Sequence, residues 1–301
     1  MRILVTGKGG QLGRSIQDLV VSTEQNDDFI FTGRKELDLS NENSIDRYFR
    51  ANDGFDVVVN CAAYTAVDKA EGEQELADQI NHLAVKKMAE IAIKQKAKLI
   101  HISTDYVFDG ESDEPYTEVS KVNPINSYGK TKLAGEFAIR ELMPTNAIII
   151  RTSWVYSEYG NNFVKTMLEL DKEKSEINVV ADQIGSPTYA ADLARVVLAI
   201  LNKKNYRCKK NKTEVYHYSN KGRVSWYDFA KEIFRLKESK CLVHPMSTTQ
   251  YPTIARRPKN TLMSADKIIK EFDVDIESWR SSLRRFLCNY SMDSVERSDK
   301  L

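Results

Sequence analysis

Tyr128 and Lys132 stand four apart in Tyr128-Gly129-Lys130-Thr131-Lys132, and residues four apart share a face on a helix. A lysine held near a tyrosine hydroxyl favours the phenolate and lowers a pKa that is ordinarily about 10. A tyrosine so tuned can give a proton to a carbonyl oxygen while hydride arrives at the carbon. Taken alone the spacing is common among surface pairs, and two further features give it weight. Gly7, Gly10 and Gly13 have GxxGxxG spacing in Gly7-Lys8-Gly9-Gly10-Gln11-Leu12-Gly13, directly after an apolar strand pattern and before a helical one. Glycines there permit a tight turn and let the backbone approach a pyrophosphate, and the helix start offers free amides and a positive dipole end. In His101-Ile102-Ser103-Thr104-Asp105-Tyr106-Val107-Phe108, Ser103 and Thr104 fall at the carboxyl end of a strand. A hydroxyl there can hydrogen-bond a substrate oxygen and orient it; the alternative is a Ser/Thr cap on a turn. His101 lies within the apolar strand and reads as a satisfied core histidine.

The elements that must position these groups follow from periodicity. Short apolar runs at Ile3–Val5, Phe29–Thr32, Asp56–Asn60, Leu99–Ser103 and Ala147–Arg151 alternate with helical patterns, such as Leu12–Val20 and Glu75–Lys94. All-apolar strands alternating with helices predict an α/β fold: a doubly wound, parallel Rossmann sheet covered on both faces, with right-handed crossovers. Such a sheet binds its ligand at the carboxyl ends of the strands, where strand order reverses. Asp192–Leu201 and Trp226–Leu236 read as further helices, and Val215–Ser219 as a further strand. The expected division is a dinucleotide-binding domain of residues 1–154 plus about 189–220, and a smaller C-terminal substrate lobe of discontinuous segments, 155–188 and 221–291, before a polar flexible tail, 292–301.

Composition narrows the partners. The 301 residues carry 44 Lys+Arg against 43 Asp+Glu, a net charge of +1, so no whole-molecule argument for nucleic acid or a membrane surface arises and any anion site must be local. The four cysteines (Cys61, Cys208, Cys241, Cys288) and four histidines are scattered without zinc-ligand spacing, so no metal is expected in the chemistry. The opening apolar run is too short for a signal peptide or membrane span, which makes the cytoplasm the default compartment. The second strand ends Thr32-Gly33-Arg34. An arginine there can accept a 2′-phosphate, favouring NADPH over NADH, although a solvated loop arginine fits the sequence nearly as well. Asp38-Leu39 follows, where an aspartate reaches the adenine edge or caps the next helix.

Longer runs carry a resemblance. Asn60-Cys61-Ala62-Ala63-Tyr64-Thr65-Ala66-Val67-Asp68-Lys69-Ala70-Glu71, Ser103 through Gly110, Tyr128 through Glu136, Arg151-Thr152-Ser153-Trp154-Val155-Tyr156, Gly160 through Met167 and Asp182 through Thr188 join the glycine turn. Together they resemble the extended short-chain dehydrogenase/reductases, and more narrowly the dTDP-4-dehydrorhamnose reductase family, over nearly the whole chain. The resemblance implies reduction of a 4-keto group on a dTDP-linked 6-deoxy sugar with NADPH or NADH, the last step of dTDP-L-rhamnose synthesis for surface polysaccharide. It implies Tyr128 as proton donor, Lys132 on the nicotinamide ribose and Thr104 on the keto oxygen. Gly10, Gln11 and Leu12 would line the pyrophosphate, and Asp38 and Leu39 the adenine, beside Gly7, Gly13 and Arg34, which the glycine spacing and the end of the second strand assign to the cofactor. Ala62, Ala63 and Tyr64 form the loop after strand three, with Ser103 beside the cofactor. Asp105, Trp154, Asn162 and Arg257 would contact the nucleotide sugar, Arg257 by aiming a bidentate fork at its diphosphate. Some relatives bridge a homodimer through a divalent metal held by glutamates. Ser15 stands where an acidic residue would help, so magnesium and that dimer stay open. Two rivals share the fold: a non-catalytic regulatory subunit like that of methionine adenosyltransferase, and a reductase or epimerase of another nucleotide sugar.

Overall fold

The computed structural model describes residues 1–23, 25–52, 54–203 and 213–290; the tail expected at 292–301 and Cys208 lie outside the described residues. The first half runs β1 (Arg2–Thr6), α1 (Gln11–Ser22), β2 (Asp28–Thr32), α2 (Glu42–Ala51), β3 (Val57–Asn60), α3 (Gln74–Asp78), α4 (Ala84–Gln95), β4 (Lys98–Thr104), α5 (Ser127–Leu142) and β5 (Ala147–Thr152). Next come β6 (Val155–Tyr156), α6 (Phe163–Glu173), β7 (Glu176–Val180), β8 (Ile184–Gly185), β9 (Thr188–Tyr189), α7 (Ala190–Asn202) and β10 (Glu214–Tyr218). The described residues close with β11 (Val224–Ser225), α8 (Trp226–Leu236), β12 (Leu242–Met246), α9 (Asp266–Phe272) and α10 (Trp279–Asn289).

Six strands form one sheet in the order β10-β5-β4-β3-β1-β2, and every pairing in it is parallel. The strands carry consecutive apolar residues because alternate side chains enter different cores. Ile3, Val5, Val57, Val59, Ile148 and Ile150 pack with Leu12 and Ile16 of α1 and Leu193 and Val197 of α7. Leu4, Val58, Leu99 and Ile149 pack on the opposite face with Phe49, Val85, Met88 and Ile139. Burying such a side chain contributes roughly 1.5–3 kcal/mol, so a sheet clad on both faces explains the continuous runs. The chain leaves β1 for β2 on one side and returns to β3 on the other. Strand order therefore reverses between β1 and β3, and the crevice opens over their carboxyl ends.

The single helix expected over 75–94 is instead α3 and α4 joined by a π-helical turn, Gln79–Leu83. The extra residue seats Asn81, which is buried, against the loop after β3: its Oδ1 accepts from the Tyr64 amide at 2.9 Å and its Nδ2 donates to the Tyr64 carbonyl at 3.0 Å. Such turns cluster at functional sites, and here one fixes a wall of the crevice. A separate core gathers Tyr156, Val164, Ile177, Phe229, Ile233, Trp279 and Phe286 from β6, α6, β7, α8 and α10. Among the described residues no helix is long and apolar enough to cross a membrane.

Candidate active site

A cavity of about 1240 Å³ lies over the carboxyl ends of β1 and β3 to β5. Gly7, Gly10, Gln11 and Leu12 line one end, with Arg34, Asp38 and Leu39; Ala62, Ala63 and Tyr64 form a wall; Ser103, Thr104, Asp105, Tyr128, Lys132 and Trp154 line the rest. The glycine turn is built for close approach. Gly7 has φ +75°, and a Cβ on it would sit 2.9 Å from the Ala62 nitrogen. A Cβ on Gly13 would meet the Gly7 carbonyl oxygen at 2.2 Å, so Gly13 serves packing of α1 on the turn and does not line the cavity. Helix α1 has Gly10 at its N-cap and no side-chain cap, which leaves its first amides for an anion.

At the other end, Lys8 Nζ donates to Glu36 Oε1 at 2.6 Å, and the Gly33 amide donates to Glu36 Oε2 at 2.9 Å. The Asp38 carboxylate accepts from the Ser40 amide and hydroxyl at 3.0 and 2.7 Å, and the Ser40 hydroxyl holds its pKa below the usual value. Asp38 thus closes the turn before α2, whose own N-cap is Asn41.

The catalytic candidates meet where β4 ends and α5 begins. Asn126 caps α5 through its Oδ1, which accepts from the Gly129 amide at 2.8 Å, and the first turn presents Tyr128. Burial pushes the Tyr128 phenol up to about 12, and the Asp105 charge adds to the rise; the Thr104 hydroxyl lies within hydrogen-bond reach of the phenol. Lys132 is 1% exposed, and burial lowers it to about 8. Its Nζ donates to the Ile102 carbonyl at 2.7 Å and lies 3.2 Å from His101 Nε2. Lys132 Nζ is drawn toward β4, and the lowering of the Tyr128 pKa expected from their spacing does not offset the rise that burial causes.

Three further candidates already have partners within the protein. Ser103 lines the cavity, and its hydroxyl donates to Glu136 Oε1 at 2.6 Å. Asn162 does not line the cavity: its Oδ1 caps α6 by accepting from the Lys165 amide at 3.1 Å, and its Nδ2 donates to Gln11 Oε1 and the Ser157 carbonyl. Arg257 also lies off the lining, because Asp68 captures its fork at 2.9 and 2.5 Å.

Other residues matter that spacing did not single out. Trp226 stacks on Trp154 with ring centroids 3.5 Å apart and planes 9° apart, and both line the cavity. Trp154 has φ +49°, a strained region for a side chain of this size that costs about 1–3 kcal/mol; the stack, together with Gly185 against its ring edge, holds it there. His101 bridges Lys132 and Asn60, whose Nδ2 lies 3.0 Å from its Nδ1; a histidine inside an apolar strand was the available signal. Glu136 pairs with Arg151 at 2.9 and 2.6 Å behind the site, with Glu136 one helical turn past Lys132 as its only local sign. The Ser15 hydroxyl donates to the Gln11 carbonyl, and among the described residues no group of three His, Cys, Asp or Glu is placed to hold a metal.

The family model described as RmlD substrate binding domain matches residues 1–292. A dTDP-4-dehydrorhamnose reductase of Aggregatibacter actinomycetemcomitans is 42% identical over 291 residues, covering 94% of this chain and 97% of that one. The crystal structure of a dTDP-4-dehydrorhamnose reductase from Clostridium acetobutylicum superposes with a TM-score of 0.88 at 42% identity, covering 98% of this chain and 100% of that one. That of Bacillus anthracis, solved in complex with NADP, gives 0.87 at 39% identity over 96% and 99%.

Proposed function

The chain belongs to the RmlD substrate binding domain family, and we propose that it reduces the 4-keto group of dTDP-4-dehydro-L-rhamnose to dTDP-L-rhamnose with NADPH. The observation that carries this is one cavity running from an uncapped helix start at a glycine turn to Thr104, Tyr128 and Lys132. A bound dinucleotide supplies the hydride, while the protein supplies orientation and the proton. The α1 amides would hold its pyrophosphate. Lys132, anchored by the Ile102 carbonyl and His101, would hold the nicotinamide ribose. Tyr128, kept protonated at neutral pH by burial, would give its proton to the keto oxygen, with Thr104 orienting that oxygen. The Trp154–Trp226 stack would form the wall against which the sugar packs, and segments 155–188 and 221–291 the lobe around it. A spectrophotometric assay of NADPH oxidation across a panel of dTDP- and UDP-linked keto sugars is expected to give turnover with the dTDP-4-keto-6-deoxy sugar; no signal with that substrate would sink the assignment.

Arg34 supports NADPH over NADH, since Lys8 is already paired with Glu36 and Arg34 lines the adenosine end. A charge-assisted contact of this kind contributes roughly 1.5–3 kcal/mol. Arg34→Ala is accordingly expected to raise KM for NADPH by about ten- to a hundredfold and to leave KM for NADH little changed. Equal effects on both cofactors would remove Arg34 from 2′-phosphate recognition.

A further inference from the structure

We propose that Asp105 is a positioning residue whose protonation decides whether Thr104 can give its hydrogen to the substrate ketone; this rests on the reductase reading above. A threonine hydroxyl has one hydrogen and two lone pairs. Here Thr104 Oγ1 donates to Asp105 Oδ1 at 2.9 Å and accepts from the Tyr106 amide at 3.1 Å. One lone pair is left beside the Tyr128 phenol, and no hydrogen is left for a ketone. In this arrangement Thr104 competes for the Tyr128 hydrogen. Protonation of Asp105 reverses the chain: the carboxylic acid donates to Thr104 Oγ1, the Tyr106 amide fills the other lone pair, and the Thr104 and Tyr128 hydrogens are both released toward the cavity. Two donors then converge on an oxygen that gains negative charge as hydride arrives. The only atom added is the proton that Asp105 takes from solvent.

The surroundings shift the balance toward the acid form. Asp105 is 2% exposed, and its Oδ2 makes no hydrogen bond, although the Thr261 hydroxyl lies near enough to favour the carboxylate. Burial outweighs Thr261 and Thr104 and pushes the carboxyl up to about 6. The titratable groups around it are Tyr106 on its own turn, Tyr128 from α5, and, beyond Tyr106, Arg257 and Asp68, which are bonded to each other. A bound nucleotide sugar would bring a diphosphate and expel water, and both move a carboxyl further toward the acid.

The test is the pH dependence of kcat/KM with the dTDP-4-keto-6-deoxy sugar for wild type and Asp105→Asn. Activity that follows the protonated fraction falls by about tenfold per pH unit above the pKa, so wild-type kcat/KM should decline in this way on the alkaline side. In D105N the amide can donate to Thr104 at every pH, and that limb should vanish while limbs belonging to other groups stay. A D105N enzyme with the wild-type limb, or a folded D105N without turnover, overturns the proposal. Should D105N fail to fold, infrared spectra of the wild type decide. A protonated-carboxyl band that fades over the pH range of the kinetic limb supports the proposal, and no such band at the acid end overturns it. Absence of wild-type turnover with either NADPH or NADH would instead sink the reductase reading.

Discussion

Tyr128→Phe is expected to lower kcat for the dTDP-4-keto-6-deoxy sugar by about 10²–10⁴-fold, the usual contribution of a positioned general acid, while NADPH still binds. The phenyl ring keeps the edge contact with Tyr106, whose centroid lies 5.7 Å away, so the cavity wall survives and only the hydroxyl is lost. The direction of the Tyr128 pKa matters here. Burial holds the phenol near 12 in the free protein, so at neutral pH it carries the proton that a developing alkoxide needs. Comparing single-turnover rates with NADPH affinity separates the two effects. A loss confined to KM would make Tyr128 a binding residue, and wild-type kcat would mean that the proton comes from elsewhere.

Arg151→Met is expected to destabilise the protein by about 3–5 kcal/mol, the cost of leaving one member of a buried ion pair without its partner. Arg151 is 1% exposed and Glu136 is 0% exposed. Without Arg151 the Glu136 carboxylate would keep, among the described residues, the hydrogen bond from the Ser103 hydroxyl at 2.6 Å and the more distant Lys132 charge. The double variant Arg151→Met, Glu136→Leu should recover much of the loss, because an apolar pair of similar volume removes the stranded charge. Urea midpoints with an unchanged slope would establish that the effect is on stability. A single variant within about 1 kcal/mol of wild type, the range of an exposed ion pair, would contradict the burial argument. The pair also bears on the site. Glu136 ties α5, which carries Tyr128 and Lys132, to Ser103 beside Thr104, so the single variant should lose turnover below its unfolding midpoint as well.

The central sheet was legible because its physics is local. β1, β3 and β5 are built on short runs of Val, Ile and Leu, and such a run between helical patterns has one low-energy use, a parallel strand covered on both faces. The glycine turn was legible for the same reason: only glycine tolerates the backbone at Gly7 and the contact at Gly13. The short strands β6, β8, β9 and β11, two residues each, were not legible, since two residues carry no period. The break at Gln79–Leu83 was hidden because α3 and α4 keep an amphipathic pattern across it, and Asn81 finds its partners far away in the chain, in a loop seventeen residues earlier and in Thr131 fifty residues later.

Within the site, the sequence by itself determined which groups stand at the carboxyl ends of the strands: Thr104 at the end of β4, Tyr128 and Lys132 one turn apart on α5, and the glycine turn after β1. Their spacing follows from strand and helix geometry alone. What those groups touch was decided only by the tertiary structure. Lys132 turned to Ile102 and His101, Ser103 to Glu136, Arg257 to Asp68, and Trp154 onto Trp226. The reason is that hydrogen bonds and ion pairs depend on atoms brought within about 3 Å, and these partners lie up to 189 residues apart along the chain. No local pattern encodes that proximity, so direction of donation, burial and pKa emerge only once the sheet and its helices have closed around them.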